Sequence, residues 1–491
     1  MNMLFMPAGS SVWINVIKEF ESLGFNPKLW FGDPKHDDFA KKNYPDCKVF
    51  DFYFTHKNIF LKSDDFIIDP EVFKSKFFFT LKDQVYKLMD RQDDLGVYSR
   101  LDREAIFYSV FCFFYSEIIE RQIEVAVVAE GPHSPVSMII YGICSILNIP
   151  SYHLSQNSIV PLVHISKDLY GSKIKRLNSS NDFNYDIFLR LVEEYIDSIS
   201  DEIPKPLYMQ VQDENNKISI INDTKSYLIK PFLTSIGFLN RNTGYSINRS
   251  NFFDSNRTSF SHNLKTIFKK NLLYIKYAEV VQELNLEEDF VFVPLHYEPE
   301  RTSNPDGGHY YNVYDMLVAL RSFVPKNIKI IIKEHPSQFT KTLHGHRGRS
   351  ALFYKSILTL PNTQFAKLDI PSSVLIKKSI FLATQTGTAA LEASILGKKS
   401  LIFGSPWFTG VPNTYVYNNI SFEELIKEDS SSKAEVKEYI LEYILNYTLP
   451  ACVNPSGTHY FKLKYPEYFD NLINDEYFAK EFSVAIYNDL S

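Results

Sequence analysis

The feature that most constrains this chain is the alternation of short apolar runs with helical spacing between residues 290 and 403. The run 290–295, Phe-Val-Phe-Val-Pro-Leu, is continuous rather than alternating, the pattern of a strand buried on both faces. Helical spacing follows over 313–323. Further apolar runs fall at 328–332, 363–366, 380–383 and 400–403, with helical segments at 372–377 and 388–396. Strands alternating with helices at this spacing predict a parallel, doubly wound sheet. Such sheets bind ligands outside the carboxyl ends of their strands. The residues at those ends are therefore the first to read for chemistry.

The first half shows the same grammar less cleanly. A strand over 2–6 opens into Pro7-Ala8-Gly9-Ser10-Ser11, a helix runs to Leu23, Gly24 stops it, and 27–31 returns as strand. Residues 33–95 are aromatic-rich and less regular. A long helix is expected over 102–121 and a buried strand over 125–129. Glu130-Gly131-Pro132-His133 follows, then a helix to 147 and a strand over 151–154. Helices are expected at 185–199 and 264–284. Between them the Asn- and Ser-rich run 237–261, carrying Arg241, Arg249 and Arg257, reads as linker, followed by a basic helical stretch over 265–276. The tail from 421 reads as mostly helical, most clearly over 435–447. The expected fold is α/β, with two Rossmann-like doubly wound domains and a cleft between them. The divisions are 1–240 as an acceptor domain with helical insertions, 241–285 as linker and basic helix, 286–420 as a nucleotide-sugar donor domain, and 421–491 as helices packing back on both.

Bulk properties exclude several classes. A chain of 491 residues suits two or three domains. Its net charge of −6 argues against a nucleic-acid partner. Cys47, Cys112, Cys144 and Cys452 have no CxxC spacing, so neither a zinc site nor a disulfide framework is expected. The first residues lack the basic and apolar regions of a signal peptide, and no run of about 20 apolar residues appears. A cytoplasmic protein is expected. The basic 265–276 stretch suggests peripheral contact with the inner membrane.

Four constellations carry potential chemistry. Lys333 and His335 end one strand and, with Pro336 turning the chain, form a basic pair able to neutralise a phosphate; a merely basic surface turn explains them equally well. Thr386 and Thr388 flank Gly387 where a helix begins, a place suited to phosphate, and Glu392 one turn on could reach ribose hydroxyls. Simple threonine capping is the bland alternative. Glu130 at a strand end could act as base or nucleophile, with His133 bonding to it or to the acceptor; the competing reading is a capped helix start with Pro132 in its first turn. The polar loop 296–308 offers His296, Glu298, Glu300 and Arg301 to donor or acceptor, against the alternative of an ordinary loop with internal salt bridges. His309, His344 and His346 lack partners at metal-ligand spacing, so no metal or other cofactor is expected. Lys341, His344, Arg347 and Arg349 form a basic loop, which is either a solvated face or a grip for an anionic substrate. No Walker loop or nucleophile elbow is present.

The segments 295–300 (Leu-His-Tyr-Glu-Pro-Glu), 333–336 (Lys-Glu-His-Pro), 386–392 (Thr-Gly-Thr-Ala-Ala-Leu-Glu) and 403–407 (Phe-Gly-Ser-Pro-Trp) resemble bacterial capsule polysaccharide biosynthesis proteins. They also resemble the wider set of two-domain (GT-B) glycosyltransferases that use CMP-activated ulosonic acids such as Kdo and sialic-type sugars. The resemblance covers the second half; in the first half only 130–133 is similar. It implies that His335 binds the donor phosphate, that Thr386 and Thr388 complete that site, and that Glu130 is the base or nucleophile. Ala129 precedes Glu130, so the family's acidic-acidic-Gly motif is not reproduced. The implied partners are a nucleotide-sugar donor and a glycan or lipid-linked glycan acceptor. The alternatives are a UDP-sugar transferase or epimerase, and a non-catalytic nucleotide- or glycan-binding scaffold of an assembly complex. The sugar, acceptor, linkage, stereochemical course and oligomeric state are not legible in the residues.

Overall fold

The structure, a computed structural model, describes residues 1–51, 65–93, 98–176, 183–200, 209–210, 260–340 and 343–491. Arg241, Arg249 and Arg257 of the expected linker, and Lys341, lie outside them. The first sheet contains β1 (Asn2–Met6), β2 (Asn26–Gly32), β3 (Lys48–Asp51), β4 (Val125–Val128), β5 (Ser151–Gln156) and β6 (Leu162–Ser166). The second contains β7 (Phe290–Pro294), β8 (Lys329–Lys333), β9 (Thr363–Phe365), β10 (Phe381–Thr384), β11 (Ser400–Ile402) and β12 (Thr414–Val416). A last strand, β13 (Thr448–Pro450), returns to the first sheet.

The second sheet runs β12-β11-β10-β7-β8-β9, and every described pairing in it is parallel. Its strand order reverses between β7 and β10. The first sheet runs β13-β6-β5-β4-β1-β2-β3. Its five strands β3 to β5 are parallel and reverse order between β1 and β4, while β6 and β13 add antiparallel. Each sheet thus has a topological switch point, where a crevice opens at the strand ends. This is a GT-B-like pair of doubly wound sheets flanked by helices, with a C-terminal tail that is largely helical.

The local reasons are plain. The helix Val12–Ser22 buries Val12, Trp13, Val16, Ile17 and Phe20 on one stripe and ends before Gly24, whose φ of +85° suits glycine. The C-terminal helix Asp475–Leu490 covers that stripe. Phe482 meets Trp13 and Phe20 edge-to-face at 6.2 and 5.8 Å. The helix Pro135–Ile146 is apolar almost all round because it lies between the sheet and the helices Lys76–Gln92 and Arg100–Glu120. A Cβ on Gly142 would sit 2.3 Å from the Leu81 side chain, so glycine lets this helix pack closely on the helix Lys76–Gln92.

Two expectations are corrected. The region after residue 33 holds β3 and a 17-residue helix, Lys76–Gln92, rather than irregular chain. The helix after β4 starts at Pro135 and is capped by Ser134, whose hydroxyl accepts from the Ser137 amide. Pro132 is therefore not in its first turn, and residues 130–133 form a loop at the switch point.

Candidate active site

At the first switch point lies a cavity of about 400 Å³, lined by the ends of β1 and β4, by Pro7 to Gly9, Asp33, Glu130 to His133 and Ser137, and by Asn454 to Ser456. Glu130 Oε2 accepts from Asn454 Nδ2 and from Arg301 Nη1, both at 3.1 Å. The second contact crosses from the loop after β7, so it joins the strand ends of the two sheets. Arg301 also pairs with Asp306 at 3.5 Å. Burial raises the Asp306 carboxyl above its ordinary range, against the opposing pull of Arg301.

His133 donates from Nδ1 to the Gly131 carbonyl at 3.0 Å. That bond puts the proton of the neutral ring on Nδ1 and leaves a lone pair on Nε2. Burial, with help from Arg301 and Arg91, lowers its pKa despite Glu130, so the ring is neutral at pH 7.

The end of β8, one strand beyond the second switch point, has the opposite polarity. The His335 Nδ1 accepts from the Ser337 amide at 3.1 Å, so the neutral ring carries its proton on Nε2. Nε2 has no hydrogen-bond partner among the described residues. Burial pushes His335 down to about 4, with further repulsion from His296, Arg349 and Lys333. The expected basic pair is therefore not a pair of cations. His335 is a neutral donor, and the Lys333 ammonium binds the Ile370 carbonyl and, at 3.4 Å, Ser372 Oγ.

The turn after β10 closes on side chains from β7. His296 Nε2 accepts from the Thr386 amide at 3.3 Å and lies 3.2 Å from Thr384 Oγ1. Its pKa is pushed down to about 4 by burial. Thr386 Oγ1 donates to the Thr302 carbonyl at 2.6 Å. Gly387 lets these groups approach, since a Cβ there would meet Thr384 Oγ1 at 2.9 Å. Thr388 is exposed and makes no side-chain cap to the helix Ala389–Ile395. The Glu392 carboxyl is raised to about 7 by burial, and its charge acts on Tyr195 of the helix Asp186–Ser198.

Other residues expected at the site are engaged with protein groups. Glu298 is 2% exposed and binds Lys87 of the first half at 3.2 Å. Its backbone is held by Gln338 on both sides. Glu300 stands near Arg91, and burial raises its carboxyl. Arg349 of the basic loop forms a fully buried ion pair with Glu334 at 2.9 Å and also holds the His296 carbonyl. Arg347 is spent on the Arg91 carbonyl and His344. His309 stacks on Tyr170 with ring centroids 4.9 Å apart.

The residues missed in the sequence are Asp33, Asn454 and Arg91. Asp33 follows β2 in a Gly-Asp-Pro turn, the place where an acid meets a ligand at a strand end, and that signal was readable. Asn454 caps the helix Pro455–Lys464 and is 324 residues from Glu130, so no local pattern could join them. Arg91 ends the helix Lys76–Gln92 and has a buried Nη1 without a partner among the described residues.

A model of the family described as capsule polysaccharide biosynthesis protein matches residues 253–449. This is a distant relationship, carried by the second half. None of the curated proteins matches the chain. Among solved structures, the β-Kdo 2,7-transferase KpsC of Thermosulfurimonas dismutans is 12% identical over 94% of this chain and 99% of that one, with a TM-score of 0.29. The UDP-GlcNAc 2-epimerase of Methanocaldococcus jannaschii is 11% identical over 91% and 99%, with a TM-score of 0.24. That of Neisseria meningitidis, bound to UDP-GlcNAc, is 11% identical over 100% and 99%, with a TM-score of 0.21. At these scores the likenesses carry no argument, and the geometry of this chain stands by itself. No described helix is long and apolar enough to cross a membrane.

Proposed function

We propose that the chain is a glycosyltransferase of bacterial surface polysaccharide synthesis, capsule or lipopolysaccharide. It moves a CMP-activated ulosonic acid, Kdo or a sialic-like sugar, to a glycan or lipid-linked glycan acceptor. The observation that carries the reading is the meeting of two strand-end sites, one on each sheet, through Arg301 and Glu130, with opposite hydrogen-bonding character.

The donor lies at the second site. His335 Nε2–H donates to a phosphate oxygen, and the anion draws the ring towards its charged form, which strengthens the bond as the leaving group gains charge. Thr388 offers its exposed hydroxyl to the same group. Glu392, half protonated near neutrality, takes a ribose hydroxyl. The acceptor lies at the first site. Its hydroxyl oxygen bonds to the anomeric carbon as the bond from that carbon to the phosphate oxygen breaks. The hydroxyl proton passes to Glu130 Oε1 or to His133 Nε2, and CMP leaves with the electron pair. In a retaining course Glu130 would instead bond to the anomeric carbon first. The helix Phe260–Ala278 exposes Phe268, Tyr274 and Ile275 beside Lys276, which supports peripheral contact with an anionic membrane surface.

Thermal stabilisation by CMP, UDP and GDP tests the reading. CMP gives the largest rise in Tm, and His335→Ala weakens CMP binding about tenfold. Protection by UDP alone, with epimerisation of a UDP-sugar, would overturn it. So would unchanged polysaccharide production in cells carrying Glu130→Ala and His335→Ala, the result expected of a scaffold.

A further inference from the structure

The cavity at the first switch point has a chemical bias. Its polar wall is dominated by hydrogen-bond acceptors, the carboxylate of Asp33, Oε1 of Glu130 and Nε2 of His133, beside the hydroxyls of Ser137, which donates to the Ser134 carbonyl, and of Ser456. Asp33 uses Oδ1 to accept from the Lys35 amide at 3.0 Å, and Oδ2 has no partner among the described residues. Both described bonds to Glu130 fall on Oε2, leaving Oε1 without one. Asn454 is spent on Glu130 and the Gly457 amide. No lysine or arginine stands among the described lining residues. Arg301 and Arg91 act on the His133 ring, but neither lines the cavity, and Arg301 is engaged by Glu130 and Asp306.

The backbone is shaped around this wall. A Cβ on Gly9 would sit 2.6 Å from Asp33 Oδ2, so a glycine is what lets that carboxylate stand over the loop after β1. His36 Nε2 lies 3.1 Å from the carbonyls of Ala8 and Ser10 and holds the loop in place. The apolar remainder of the wall includes Met6, Pro7, Phe31 and Val128, the kind of surface that takes the carbon face of a ring.

We infer that this cavity binds an uncharged, hydroxyl-rich sugar residue, a neutral hexose or N-acetylhexosamine at the end of the acceptor, and rejects a carboxylated sugar. Hydroxyls donate to Asp33, Glu130 and His133. A second carboxylate would face two existing ones with no cation lining the wall, and like charges at such range are costly. The volume of about 400 Å³ suits one or two sugar rings. The inference rests on the acceptor reading above and specifies its substrate class: the incoming sugar is acidic and the receiving one is not.

Saturation-transfer NMR on the full chain, with CMP present, tests it. The ligands are methyl glycosides of neutral hexoses and N-acetylhexosamines, set against methyl glycosides of Kdo and N-acetylneuraminic acid. The expected result is transfer to the neutral set and none to the acidic set. Asp33→Ala weakens neutral binding about tenfold. Asp33→Asn keeps the cap on the Lys35 amide, so it guards against misfolding, and it narrows the neutral-over-acidic preference. Equal or tighter binding of the acidic glycosides, or binding of neither set, overturns the inference. CMP protection, read on the same sample, separates the two claims. Retained protection with no sugar binding sinks this inference alone, and lost protection with neutral sugar binding sinks the donor assignment alone.

Discussion

His133 and His335 stand at strand ends of the two sheets, one after β4 and the other after β8, and are prepared for opposite work. Each follows a buried parallel strand, each is neutral at pH 7 because burial lowers its pKa, and each is locked by a backbone group two residues away. The difference lies in which backbone group does the locking. A carbonyl, from Gly131, takes the proton of His133 and leaves an acceptor at Nε2. An amide, from Ser337, takes the lone pair of His335 and leaves a donor. The lesson is that the same side chain at a strand end can be base or acid according to a single backbone contact. The surroundings agree: carboxylates and a cavity around His133, a closed turn with Thr384, Thr386 and His296 around the second switch point.

The comparison breaks most decisively at Glu130. Glu130→Gln is expected to lower the transfer rate about 10²- to 10⁴-fold while CMP protection and the circular dichroism spectrum stay the same. Wild-type turnover in that variant would remove catalysis from the first site and leave it a binding site.

A second effect concerns what holds the donor side in place. Arg349→Met leaves Glu334 buried without its partner and is expected to cost about 3–5 kcal/mol in urea unfolding. Arg349 also holds the His296 carbonyl, so CMP affinity falls with it. Replacing both members, Glu334→Leu with Arg349→Met, should recover much of the stability, because two charges are then removed together. A destabilisation below about 1 kcal/mol in the single variant would show that the pair is solvated.

The smallest effect is set by pH. The Glu392 carboxyl is raised to about 7 in the folded chain, so the fold binds more protons than the unfolded chain between the ordinary carboxyl range and pH 7. Stability attributable to this group is fully present below the unfolded value and is lost as pH rises through about 7. Glu392→Gln should therefore raise Tm by about 1–3 °C at pH 8 and leave it unchanged at pH 4. An equal effect at both pH values would contradict the burial of the carboxyl. A ligand hydroxyl at Glu392 would shrink the difference once CMP is bound, which ties this measurement to the donor side.

Much of the scaffold was legible because its signals are local. The strand β1 and the helix Val313–Phe323 fall where apolar periodicity puts them, and the parallel second sheet follows from strand and helix alternation. The strands β3, β6, β12 and β13 were not legible. They are short or at the sheet's outer positions, and β13 is specified by a partner almost 300 residues away rather than by its own pattern. At the site, the sequence pointed to Glu130, His133 and His335 through their strand-end positions. It did not show that Lys333 meets a carbonyl or that Arg349 meets a buried carboxylate, because a charged side chain looks the same in sequence whether it meets solvent, a carbonyl or a carboxylate.

The sequence by itself determined two doubly wound sheets and the residue types at their carboxyl ends, since both follow from periodicity along a few tens of residues. Only the tertiary structure decided that Arg301 reaches Glu130, that Asn454 returns from the far end of the chain to the same carboxylate, and which nitrogen of each histidine holds its proton. Those facts depend on contacts between distant segments and on the burial they produce. Burial and hydrogen bonding, not residue identity, fix where a proton sits.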